Sequence, residues 1–221
     1  DIVRHYPFAS KKTFVTPLAY NKKKFHPRIS PDDVRRVLYK YSIVNDYVLY
    51  LSTLKPSKNV VGLLTAWSRV KKSFPEIKLV IAGKKGWLYE AIFAKVKELG
   101  LTKDVIFTDY VFEEDKPGLV KGALAFVLPS FWEGFGLDAL NAMASGVPVV
   151  TANVASLPEV VGKAGILVDP YNINSIEGGI RKVLSMPQAQ YNTLVEEGIK
   201  QAGKFSWEKT ARKTLQILEK A

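Results

Sequence analysis

From about residue 46 to residue 204 the chain alternates between short apolar runs and longer stretches with helical spacing. The runs are YVLYLS (47–52), IKLVIAG (77–83), DVIFTDYV (104–111), LAFVLPS (124–130), VPVVTA (147–152) and GILVDP (165–170). Each is about the length of one buried strand and rich in strand-forming residues. Between them lie NVVGLLTAWSRVKKSF (59–74), with Asn59 as an expected N-cap, and WLYEAIFAKVKELG (87–100), stopped by Gly100. EEDKPGLVKGA (113–123) is a weaker helix with Pro117 near its start, followed by LDALNAMASG (137–146) and the short SLPEVVG (156–162). Three more helical stretches close the chain at 174–185, about 188–203 and, after Ser206, 207–219. Continuously apolar strands must be covered on both faces, and parallel strands need crossover helices. The expected fold is therefore α/β: a doubly wound, parallel, six-stranded, Rossmann-like sheet.

Residues 1–45 fall outside this rhythm. DIVRHYP reads as the tail of a helix, TFVTPL (13–18) as a linking strand, and SPDDVRRVLYKY (30–41) as a helix capped by Ser30 with Pro31 in its first turn. The chain starts on Asp1 and not Met, and the expectation is a part of a longer protein.

In such a sheet ligands bind beyond the carboxyl ends of the strands. The loops to inspect are therefore 52–58, 83–87, 109–113, 129–136 and 152–156. Composition narrows the chemistry they can carry. The chain has no cysteine, which excludes disulfides and thiolate metal sites, and only His5 and His26 as histidines, which disfavours a metal cluster. Lys and Arg number 32 against 21 Asp and Glu, a net charge of +11. That balance favours anionic partners, although a solvated lysine-rich surface explains it equally well. No apolar run approaches the roughly 18 residues of a membrane span, and no signal-peptide pattern is present.

The most informative loop is FWEGFGL (131–137). Gly134 and Gly136 allow a sharp turn and close approach to a ligand, and Leu137 opens a helix whose free amides and dipole favour an anion. Glu133 stands beside that turn as an acceptor for hydroxyl groups. In STLKPSKN (52–59), Lys55 and Lys58 are both within reach of a phosphate; Lys58 is preferred because it directly precedes the expected N-cap. Either lysine is also readily read as a solvated side chain. AGKKGWLYE (82–90) offers Trp87, to stack on a base or to pack on its helix. In TDYVFEEDK (108–116), backbone near Val111 with Glu113 and Lys116 is suited to a base edge or is simply a surface turn.

The stretch PSFWEGFGLDALNAMASGVPVVTANVASLPEVVGKAGILVDP (129–170) strongly resembles the donor-binding half of family 4 glycosyltransferases of the GT-B fold. Their pattern is an acid, seven residues and a second acid within P-S-x-x-E-G-F-G-L-x-x-L-E-A-M-A-x-G-x-P-V-V. The likeness extends to TPLAYNKKKFHP (16–27), similar to the family's interdomain linker, and to YLSTLKPSKNVVGLLTAW (50–67), KLVIAGKKGWLYEAIFAKVKELGL (78–101) and FSWEKTARKTLQIL (205–218). It implies sugar transfer from a nucleotide-diphosphate-sugar with retained anomeric configuration, no cofactor and no required metal. It implies Glu133 and Lys58 as the catalytic pair, on sugar hydroxyls and diphosphate. The backbone of Gly134, Phe135, Gly136 and Leu137 would bind sugar and phosphates, Asn141 the ribose, and Val111, Glu113 and Lys116 the base. It divides the chain into a linker with a remnant of a preceding domain (1–45), a nucleotide-sugar domain (46–204) and a C-terminal helix packing back toward the missing N-terminal domain (205–221).

Three departures from the family pattern fall on four positions: Asn141 replaces the second acid, Thr53 and Ser57 stand where many relatives carry a phosphate-binding arginine, and Ala19 replaces a linker glycine. They bear on donor affinity and catalysis, and they motivate a second reading as a non-catalytic relative that binds a nucleotide or a protein. An NAD-binding domain is disfavoured because LSTLKPSKN has no glycine where a G-x-G-x-x-G belongs. A nucleic-acid partner is disfavoured because no known nucleic-acid motif is present. The expected setting is the cytoplasm, with the basic surface suited to peripheral contact with a membrane. The acceptor class, lipid-linked or saccharide, is left open.

Overall fold

The computed structural model describes residues 2–219; Asp1, where the expected helix tail begins, and Lys220 and Ala221 lie outside it. Six strands form one sheet: β1 (Tyr47–Leu51), β2 (Lys78–Ala82), β3 (Val105–Asp109), β4 (Ala125–Leu128), β5 (Val149–Ala152) and β6 (Ile166–Val168). All neighbours are parallel, in the order β3-β2-β1-β4-β5-β6. The helices are α1 (Ile2–His5), α2 (Pro31–Lys40), α3 (Val60–Val70), α4 (Glu90–Glu98), α5 (Lys116–Lys121), α6 (Leu137–Ala144), α7 (Leu157–Val161), α8 (Ile173–Leu184), α9 (Gln188–Ala202) and α10 (Trp207–Leu218).

This is the doubly wound order expected from the alternation of strands and helices. Every residue of β1, β4 and β5 is buried, as central strands covered on both faces require. Trp67, Tyr47, Tyr50 and Phe126 are the largest of the fully buried side chains. The order reverses between β1 and β4, where successive crossovers leave in opposite directions. The loops after these two strands part there and open a crevice.

Several boundaries differ from the sequence expectation. Residues 13–18 form no strand, because no neighbouring strand pairs with them; Thr13 instead donates its hydroxyl to the Ala9 carbonyl, and the Pro17 carbonyl accepts from the Thr210 hydroxyl of α10 at 2.5 Å. Helix α4 starts only at Glu90, since Leu88 holds a left-handed φ of 53° that no helix continues through. Asn59 precedes α3 but does not cap it with its side chain. Its backbone is left-handed at φ 54°, and its amide donates to the Pro129 and Pro170 carbonyls at 3.1 and 2.7 Å. One buried side chain thus ties together the loops after β1, β4 and β6. Ser30 and Ser206 do cap their helices, accepting from the amides of Asp33 and Lys209.

Helix α2 is pinned to the sheet through Asp115. That carboxylate is fully buried and accepts from Lys40 Nζ at 2.5 Å, the Tyr41 hydroxyl at 3.0 Å and Arg36 at 3.2 Å. Burial pushes the Asp115 carboxyl up, but these three donors outweigh it and hold it below the usual range. The Tyr41 hydroxyl also accepts from the Phe112 amide at 3.4 Å. The segment 13–41 is therefore attached to the loop after β3, one wall of the crevice.

Candidate functional site

The crevice at the strand reversal brings Lys58 and Glu133 together. Lys58 ends a 3₁₀ turn, Pro56–Lys58, that follows β1. Glu133 lies in the loop after β4, and the Phe131 amide donates to the Ser57 carbonyl at 2.9 Å, joining the two loops. Lys58 Nζ sits 2.6 and 2.7 Å from Oε1 and Oε2 of Glu133. Both side chains are largely shielded, 13% and 11% exposed. The Ser130 hydroxyl donates to Glu133 Oε1 at 2.7 Å, and the Ser156 hydroxyl to the Glu133 carbonyl at 2.9 Å. The acid is thereby fixed by three neighbours before any ligand arrives. Lys55 is separated from this pair: it lines an apolar cavity of about 450 Å³ with Pro56, Leu88, Ile92 and Phe131.

After Glu133 the chain turns into α6 through Gly136, whose φ of 95° is closed to most side chains; a Cβ there would meet Leu157 Cδ2 at 2.6 Å. Gly134 has no left-handed φ, and a Cβ there would touch only the Trp132 ring at ordinary distance. Gly134 is exposed, as are Trp132 and Leu137, while Phe135 is half-buried against Phe205. No side chain caps α6, so its first amides are free to bind an anion.

Beside this turn lies a cavity of about 240 Å³ walled by strand ends. Leu51, Ser52 and Thr53 come from β1 and its loop, Gly83 and Lys84 from the loop after β2, and Tyr110 and Val111 from the loop after β3. Lys116 of α5 and Asp138 of α6 complete it. Gly83 brings two strand ends into close backbone approach: at φ 139°, a Cβ would fall 2.0 Å from the Ser52 carbonyl oxygen.

Of the expected base contacts, Val111 and Lys116 line the cavity; Glu113 is exposed and pairs with Lys116. Asn141 lies one turn deeper in α6, 8% exposed and not among the cavity's lining residues. Trp87 is 62% exposed. Asp138 was not singled out by sequence reasoning. It lies three residues before Asn141, about one helical turn earlier on α6, and only the strand ends folded around it mark it out. Burial raises its carboxyl from 3.8 to about 6, with Lys116 and Lys58 opposing the shift and Glu133 and Glu113 adding to it. No cluster of three or more side chains able to hold a metal occurs among the described residues.

Comparison with known proteins now decides the family. The model for "Glycosyl transferases group 1" matches residues 44–201. The chain belongs to the group 1 glycosyltransferases. It is 36% identical over 220 residues to O-antigen chain mannosyltransferase B of Escherichia coli, covering 97% of this chain and 56% of that protein. Among solved structures, sucrose-phosphate synthase from Thermosynechococcus elongatus superposes with a TM-score of 0.84 at 27% identity, over 99% of this chain and 55% of that one. Anabaena HepE, in complex with UDP and glucose, superposes with a TM-score of 0.81 at 21% identity, over 92% and 55% respectively. The chain thus spans about half the length of each of these three proteins. No helix among the described residues is long and apolar enough to cross a membrane.

Proposed function

We propose that this chain is the donor-binding half of a retaining, family 4-type glycosyltransferase that moves a sugar from a nucleotide-diphosphate-sugar to an acceptor hydroxyl. The observation that carries the reading is the Lys58–Glu133 pair at the strand reversal, set beside the uncapped start of α6 in a chain of this family. A lysine and a helix start stabilise the diphosphate that leaves, and a fixed acid grips the sugar's hydroxyls. The backbone from Gly134 to Leu137 serves phosphates and sugar, and the loop from Val111 to Lys116 faces the base. Positive groups already in place supply leaving-group stabilisation in this reading, and the resemblance to family 4 supports transfer without a metal or cofactor. Retention of configuration rests on the resemblance of residues 129–170 to the family 4 pattern.

The relative's name supports mannose as the first donor sugar to test and a saccharide as the first acceptor class. In this reading residues 1–45 are the linker from an N-terminal acceptor half, residues 46–204 the donor domain and residues 205–221 the helix that packs back toward that half. In this reading the whole protein works in the cytoplasm, and the net charge of +11 on this chain suits contact with an anionic membrane surface carrying the acceptor.

Calorimetry with UDP, GDP, ADP and their hexose conjugates tests the reading. The chain should bind at least one nucleoside diphosphate, and transfer should appear only when the N-terminal half is joined to it. Binding of none of them would refute the donor site; efficient transfer by these 221 residues alone would refute the division into halves.

A further inference from the structure

We propose that Asp138, and not Asn141, is the residue that holds the ribose of the bound nucleotide, accepting from its two neighbouring hydroxyls. The inference rests on the donor-site reading above and names a contact within it.

Asp138 lines the 240 Å³ cavity, whereas Asn141 is buried and does not. Its carboxylate makes no hydrogen bond or ion pair among the described residues; only through-space effects and burial act on it. Lys116, the opposing charge that acts on it most, is already paired with Glu113. A half-buried acid without a donor is costly to keep, and the cost is met once a ligand supplies donors. Although burial raises its carboxyl, Asp138 is mostly ionised at neutral pH and repels phosphate. The part of the nucleotide that meets it must therefore offer hydrogens and no negative charge. A vicinal diol does so twice, with a spacing that matches the two oxygens of one carboxylate. The cavity's position agrees. Its wall joins Asp138, in the first turn of α6 where the diphosphate is placed, to Val111 and Lys116, where the base is placed. That is where a ribose must lie to join the two.

The experiment compares the tightest-binding of UDP, GDP and ADP with its 2′,3′-dideoxy form on wild type, Asp138→Ala, Asp138→Asn and Asn141→Ala. Wild type should lose roughly 10- to 100-fold in affinity when the two hydroxyls are removed, the range for hydrogen bonds to a charged group. In Asp138→Ala that ratio should collapse toward one through weaker binding of the ribose form. Asp138→Asn, which keeps the side chain's shape and guards against a folding defect, should give an intermediate ratio, and Asn141→Ala should keep the wild-type ratio. An unchanged ratio in Asp138→Ala would overturn the proposal, as would tighter binding of the ribose form, which would make Asp138 a plain phosphate repellent. Loss of base preference with the ratio intact would place Asp138 on the base and would also overturn it. A wild type silent to all three diphosphates would bring down the donor-site reading and this inference with it, an outcome separate from binding with an unchanged ratio.

Discussion

Lys58 Nζ lies 2.6 and 2.7 Å from the two carboxylate oxygens of Glu133, and the pair bridges the loops after β1 and β4 where the strand order reverses. Each partner holds the other in place. The pair also has a consequence for binding. In the proposed site a diphosphate would compete with Glu133 for the lysine, whose charge would be shared between a resident acid and an incoming one.

Lys58→Ala is therefore expected to weaken nucleoside diphosphate binding by about 1–3 kcal/mol, and it leaves Glu133 shielded without its counter-charge. Lys55→Ala should change binding little, since Lys55 lines a different cavity. Titration of both variants with the same diphosphate checks this; a larger loss for Lys55→Ala would contradict it.

Asp138 gives a pH signature in the ligand-free protein. Burial raises its folded pKa from 3.8 to about 6, so the folded state holds an extra proton between these values. Stability from this group falls as pH rises through that window. Asp138→Asn removes the penalty and should stabilise the fold at pH 7 by about 1–3 kcal/mol, with the gain vanishing near pH 4. Denaturant unfolding at the two pH values measures it; an equal gain at both would contradict the assigned cause.

Asp115→Asn should destabilise the fold by about 1–3 kcal/mol, because one amide cannot replace a buried carboxylate for Lys40, Arg36 and Tyr41. The low side of the range for buried pairs applies because Lys40 and Arg36 are 42% and 55% exposed and can turn to water. Since its folded pKa is depressed, the contribution of Asp115 is present above the usual carboxylate range and is lost as pH falls below it. Unfolding curves that coincide with wild type at pH 7 would remove the pin from the account.

The strands and their parallel, doubly wound arrangement were legible because burial on both faces writes itself as unbroken apolar runs, and crossover helices separate them. Ser30, Ser206 and Gly136 were legible because caps and positive-φ turns demand particular residue types. Asn59 was half legible: its place before α3 follows from the sequence, but its two acceptors are 70 and 111 residues away. Segment 13–18 failed because strand propensity without a partner strand makes no strand. In the site, Lys58, Glu133 and Gly136 were readable from one loop each. Asp138 was not, because an acid in a helix is ordinarily solvated, and only the strand ends folded around it make it a cavity wall.

The central claim is that Glu133 serves the sugar and Lys58 the diphosphate, and Glu133→Gln tests it most directly. Calorimetry compares this variant with wild type on a nucleotide-diphosphate-hexose and on the matching diphosphate. The diphosphate should bind at least as tightly as before, since Lys58 no longer faces a resident charge. The sugar conjugate should lose about 1–3 kcal/mol through weaker acceptance from its hydroxyls. Equal losses on the two ligands would contradict the account.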